Sequence, residues 1–127
     1  MLDSTLTQSV AMANAANTAN TNTIALPQSA VRPFTTQFRV IISNTLATGA
    51  NSKNVTYTLY GSNESNGANA TALQAFVVAG NATKHPVSTR EITLNPTDAK
   101  SYLFASATGE ANGGDASDGT LTIKIEA

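Results

Sequence analysis

The sequence predicts an all-β protein: a single antiparallel β-sandwich or jelly roll with an extended N-terminal arm. Three observations predict it. Short segments of alternating apolar and polar residues recur from Phe34 to Glu126, and period 2 marks a half-buried strand. Loops rich in Gly, Asn, Ser, Thr and Asp separate those segments at the spacing of a sandwich or barrel. No strand alternates with a helix-length pattern, which excludes a parallel α/β sheet.

Taken in order, the chain begins with a region set apart by composition. Leu2, Leu6 and Val10 recur every four residues, which could form one face of a short helix capped by Asp3 or Ser4. The low-complexity run from Ala11 to Thr23 has almost no large side chains and cannot build a core of its own. The expectation is therefore an arm over 1–23 and a sandwich over 24–127. Thr23 to Leu26 is a short strand stopped by Pro27. In Phe34 to Ile42, the residues Phe34, Phe38, Val40 and Ile42 face the core, and Thr35, Gln37 and Arg39 face out. Ser43 to Lys53 reads as a loop. Val55, Tyr57 and Leu59 form the inner face of the next strand, and Gly61 to Asn69 the loop after it. Leu73 to Ala79 is apolar on both faces and reads as a central strand. Pro86 to Leu94 reads as a strand whose apolar face changes between Val87 and Ile92, suggesting a bulge. Asn95-Pro-Thr-Asp has turn chemistry. Ser101 to Ala107 is another doubly apolar strand. Thr108 to Gly119 is a long loop, and Leu121, Ile123 and Ile125 form the inner face of the last strand. About seven strands are expected.

Composition narrows the function. The 127 residues suit one domain. Charged residues are only 12% of the chain, against about 25% in ordinary domains. A surface of hydroxyls and amides can pack against a partner without desolvating many charges. A net charge of −1 with seven basic residues makes no basic stripe, so nucleic acid is not an expected partner. With no cysteine, there are no disulfides, thiolate nucleophiles or zinc–cysteine sites. No secretory signal or membrane span is expected, because no long apolar run occurs. The sequons at Asn54, Asn63, Asn69 and Asn81 are read as incidental in a chain so rich in Asn and Thr.

Candidate chemistry is sparse. His85 is the sole histidine, and its place before Pro86 reads as a solvated turn. Glu110, Asn112, Asp115 and Asp118 are hard oxygen ligands of the kind calcium takes, but their spacing matches no calcium-loop motif, and a solvated Gly-rich loop is the simpler reading. No nucleophile elbow, phosphate loop or carboxylate pair is present. No enzyme activity, cofactor or metal is expected. Tyr57, Tyr60 and Tyr102 could line a sugar-binding face, but only Tyr60 points away from core positions.

Several segments together carry a family resemblance: Asn22-Thr-Ile-Ala-Leu-Pro27 closing a small-residue arm, Phe38-Arg-Val-Ile-Ile42, Val55-Thr-Tyr-Thr-Leu-Tyr-Gly-Ser62, Ser101-Tyr-Leu-Phe-Ala-Ser-Ala-Thr-Gly109, and Gly119-Thr-Leu-Thr-Ile-Lys-Ile125 after a long Gly loop. Over nearly its whole length the chain resembles the small capsid cement (decoration) proteins of tailed bacteriophages. It resembles in particular the jelly-roll cement proteins similar to the one on Bordetella phage capsids. The resemblance implies a jelly roll made in the host bacterial cytoplasm that sits on the virion exterior. It implies a non-enzymatic structural protein that clamps major capsid protein subunits together, as a dimer or trimer. On this reading Leu2, Leu6, Val10 and Met12 are the capsid-contact anchors of the arm, helped by loops 43–53 and 61–72. Deleting residues 1–12 should then abolish capsid binding and leave the β fold intact. The alternative is a carbohydrate-binding sandwich from a phage receptor-binding or adhesion apparatus.

Overall fold

The structure is a computed structural model that describes residues 6–13, 17–25, 38–47, 54–80, 85–94, 101–110 and 119–126. Nine strands occur among them: β1 (Thr7–Ala11), β2 (Thr18–Asn20), β3 (Ile24–Ala25), β4 (Phe38–Asn44), β5 (Val55–Ser62), β6 (Thr71–Val78), β7 (Ser88–Leu94), β8 (Tyr102–Gly109) and β9 (Thr120–Glu126). They form two antiparallel sheets. One runs β1-β9-β4-β7, and the other runs β2-β8-β5-β6 with β3 also paired to β8.

The order of those strands defines the topology. The chain changes sheet at every connection except β2 to β3 and β5 to β6. β2 and β3 lie end to end on the same side of β8, through Asn20↔Ser106 and Ile24↔Leu103. Counted as one position, they leave four positions in each sheet. This is the double Greek key of a jelly roll.

Alternation decides what each strand buries. Leu121, Ile123 and Ile125 of β9, Val40 and Ile42 of β4, and Tyr57 and Leu59 of β5 point between the sheets and are fully buried. Burial contributes about 1.5–3 kcal/mol for each large aliphatic side chain. β8 lies between β2/β3 and β5, and it is buried along most of its length, as its doubly apolar sequence predicts.

The break between β2 and β3 has a local cause. Four chain steps on this side match three on β8, so one residue is extra, as in a bulge. Thr21 holds the ladder together there. Its amide donates to the Ala105 carbonyl at 2.9 Å, and its hydroxyl accepts from the Ala105 amide at 3.0 Å.

Several expectations need correction. The boundary at residue 23 is not seen, because β1 pairs with β9 from Thr7↔Lys124 to Ala11↔Thr120 and β2 pairs with β8. Each four-position sheet has two edges, β1 and β2 each occupy one of them, and small polar residues suffice where only one neighbour has to be met. β6 is an edge strand rather than a central one, with Val77 55% exposed. Val87 precedes β7 and is 65% exposed, and β7 pairs with β4 in unbroken register, without the expected bulge. A register shift does occur in β6, opposite Leu59 and Tyr60 of β5. Phe34, Leu26 and most of the loops 43–53 and 108–119 lie outside the described residues.

Candidate functional site

The expected anchors of the arm do not form an outward surface. Leu6 and Val10 are half-buried and pack on the core, and Met12 is 3% exposed inside it. The Met12 amide donates to the Gly119 carbonyl at 2.9 Å, which continues the β1–β9 pairing. Their apolar surface is already taken by the sandwich, because pairing with β9 aims this side of β1 between the sheets. Leu2 lies outside the described residues.

His85 is likewise not a solvated turn residue. It is 0% exposed and pairs with Ala47 through backbone bonds of 3.0 Å in both directions. Its Nε2 lies 2.7 Å from the Tyr57 hydroxyl, and that hydroxyl lies 3.7 Å from Met12 Sδ. The hydroxyl has a single proton, which either Nε2 or the Met12 sulfur can accept, and Nδ1 has no partner among the described residues. Burial lowers the imidazole pKa and raises that of the phenol, so both stay neutral. Nothing here is open to a substrate; the cluster pins β1, β5 and the segment before β7. Local sequence carries no signal for it, since Tyr57 and Met12 are brought in by other strands.

The two outer faces differ in charge. Arg39, Arg90, Glu91, Lys124 and Glu126 all belong to the β1-β9-β4-β7 sheet, and the strands of the other sheet contain no charged residue. Arg39 reaches Glu91 at 2.8 Å and Glu126 at 2.6 Å, and Lys124 lies 3.8 Å from Glu126. Arg90 sits on edge strand β7 opposite the inward Ile42, and its guanidinium lies 4.6 Å above the Phe76 ring of β6. The outer face of the second sheet is a neutral carpet. Thr18, Thr108 and Thr56 form one cross-strand row, Asn20, Ser106 and Thr58 the next, and Phe104 with Tyr60 a third. The Phe104 and Tyr60 rings stack with centroids 5.0 Å apart. Tyr60 is therefore half-buried against a neighbour rather than standing free.

At one end of that face lies a cleft of about 400 Å³. The kinked segment Asn20–Thr23 and the turn Ser65–Gly67 are its walls, and Phe104 lines it. Both walls are braced. Thr23 donates to the Ser65 carbonyl at 2.6 Å, and Ser62 to the Ala68 carbonyl at 2.6 Å. Asn69 donates to Glu64 at 2.8 Å, and the Gly67 amide to the Glu64 carbonyl at 3.0 Å. Gly67 has φ +79°, and a Cβ there would stand 3.2 Å from Phe104 Cε1, so only glycine lets the turn close down on the ring.

Among the described residues no cluster of acidic or histidine side chains could hold a metal ion. Glu110 is exposed, and the other acidic-loop ligands lie outside the described residues. No helix among the described residues is long and apolar enough to cross a membrane.

Topology and site together define a jelly-roll β-sandwich with one charged and one neutral outer face. Solved structures that superpose on it include those of infectious bursal disease virus. The crystal structure of the infectious bursal disease virus VP2 subviral particle superposes with a TM-score of 0.52 at 13% identity, covering 94% of this chain and 30% of that one. The infectious bursal disease virus Gx strain structure gives 0.50 at 14% identity, covering 95% and 30%. The chain thus spans about 30% of the length of those viral chains. A family 16 carbohydrate-binding module reaches a TM-score of 0.36 at 13% identity, covering 90% of this chain and 71% of that one. A superposition that loose says nothing about shared chemistry. No protein-family model matches the sequence, and no curated protein is significantly similar to it.

Proposed function

We propose that the protein is a non-enzymatic structural component of a virion, a cement protein that binds the outside of a phage capsid and bridges major capsid protein subunits. The observation that carries this reading is the charge-free outer face of β2-β8-β5-β6. A cement protein must bury area across neighbouring subunits, and its copies act multivalently. Hydroxyl rows and the exposed Val77 can be desolvated at small cost, whereas each unpaired charge would cost several kcal/mol, on the order of the buried-ion penalty. A jelly roll supplies the rigid body, and capsid folds of this kind in the structural neighbours agree with the reading. The expected homo-oligomer would form at β6. It is an eight-residue edge strand without charge or proline, whereas the β7 edge carries Arg90 and Glu91.

Co-sedimentation with undecorated capsids of the source virus tests the proposal. Wild-type protein should bind stoichiometrically and make the capsids more heat-resistant. Val77→Lys and Ala75→Lys, on the neutral face, should lower occupancy at least tenfold, and Thr89→Lys, on the charged sheet, should not. Equal occupancy for all three variants would remove the neutral face from the contact.

A further inference from the structure

We infer that the cleft between Asn20–Thr23 and Ser65–Gly67 is a binding site for a neutral saccharide. The inference does not rest on the capsid reading. It also differs from the sugar-stacking role expected of Tyr60, whose ring is engaged with Phe104.

Size and chemistry select the ligand class. A cleft of about 400 Å³ falls in the usual range for small-molecule sites, about 300–1,000 Å³. Its lining offers the side-chain amides of Asn20, Asn22 and Asn66 and the hydroxyl of Ser65, with the Thr21 and Thr23 hydroxyls already bonded to Ala105 and Ser65, and it holds no ionisable group. A phosphate would call for arginine, lysine or a helix N-terminus, and a divalent cation for carboxylates. A polyol needs partners that both donate and accept at each hydroxyl, and asparagine and serine do both. Phe104, stacked on Tyr60 and only 9% exposed, closes the floor of the cleft rather than offering a free ring face.

The site is also built before any ligand arrives. Thr21 is tied to Ala105 by two hydrogen bonds, and Thr23 ties one wall to the other. The Ala68 amide donates to Asn66 Oδ1 at 3.0 Å, which orients that side chain. Asn20, Asn22 and Ser65 are exposed at the rim. Rigid walls reduce the ordering cost of binding, which matters for a ligand that gains little from each hydroxyl.

The test is an NMR titration of the ¹⁵N-labelled full chain with the methyl glycosides of glucose, galactose, mannose and N-acetylglucosamine, and separately with inorganic phosphate. At least one glycoside should saturably shift amides in both walls, Asn20–Thr23 and Ser65–Gly67, and phosphate should shift neither. Asn22→Ala should weaken that glycoside roughly tenfold, the loss of one or two hydrogen bonds. Asn20→Ala is a second rim variant on the same expectation. Both residues are exposed, so the folded spectrum should persist. Shifts confined to the Val77 region, equal response to phosphate, or no saturable shift in either wall would overturn the inference. Capsid co-sedimentation of Asn22→Ala should match wild type, so the two readings fail separately; lost capsid binding would assign the cleft to the capsid contact instead.

Discussion

An imidazole sealed from water between two sheets must stay neutral to stay folded. His85 is in that position, and burial holds its pKa below the ordinary 6.5. The sign follows from linkage. Above the unfolded pKa neither state binds the proton, and the stability is fully present. As pH falls below it, the unfolded chain takes up a proton that the folded chain rejects, and stability declines. With one histidine and no cysteine, almost nothing else titrates between about pH 5 and 7. The melting temperature should be flat above about pH 7 and fall towards pH 5.5. His85→Gln should flatten that slope; an unchanged slope would assign it to another group. Gly67 supplies a second residue-scale prediction. With φ +79° and Phe104 pressed close, Gly67→Ala should cost roughly 1–3 kcal/mol in urea unfolding. By contrast, the Arg39 ion pairs are exposed, and Arg39→Ala should change stability by less than about 1 kcal/mol.

At the scale of elements, the interrupted strand β2/β3 depends on one hydroxyl. Thr21→Val keeps the shape but leaves the Ala105 amide without its acceptor. The loss should be about 1–3 kcal/mol, with faster hydrogen exchange at Ala105, and Thr21→Ser should restore both. β1 reverses an expectation. Removing residues 1–12 takes away the strand paired to β9 and exposes Leu121 and Ile123 beneath it. The truncated chain should therefore melt at lower temperature and aggregate, as measured by circular dichroism and light scattering, rather than keep an intact fold.

For the whole molecule, the division of charge between the two faces is the feature with consequences for assembly. A contact made by a neutral face is barely screened by ions. Capsid occupancy should therefore change little between low and physiological salt in the co-sedimentation assay. A steep loss with salt would point to the Arg39–Glu91–Glu126 face as the contact.

The alternation in Val40–Ile42, Val55–Leu59 and Leu121–Ile125 was legible in the sequence, because a two-residue period depends only on neighbours along the chain. So were the doubly apolar β8, the sandwich class and the scarcity of charge. Tertiary structure decided the rest. Whether Leu73–Val78 lies at an edge or in the centre depends on which strand it meets, and its composition alone does not distinguish the two. Val10 and Met12 look like free anchors until pairing with β9, more than a hundred residues later, is seen to turn them onto the core, Met12 buried and Val10 half-buried. His85 looks solvated until Tyr57 and Met12 close around it. The cleft joins residues 20–23 to 65–67 only because β2/β3 kinks beside β8 and the turn after β5 folds back onto Phe104. Local alternation sets which faces are apolar; which surfaces meet, and so what is left exposed for a partner, comes from long-range pairing that no local pattern encodes.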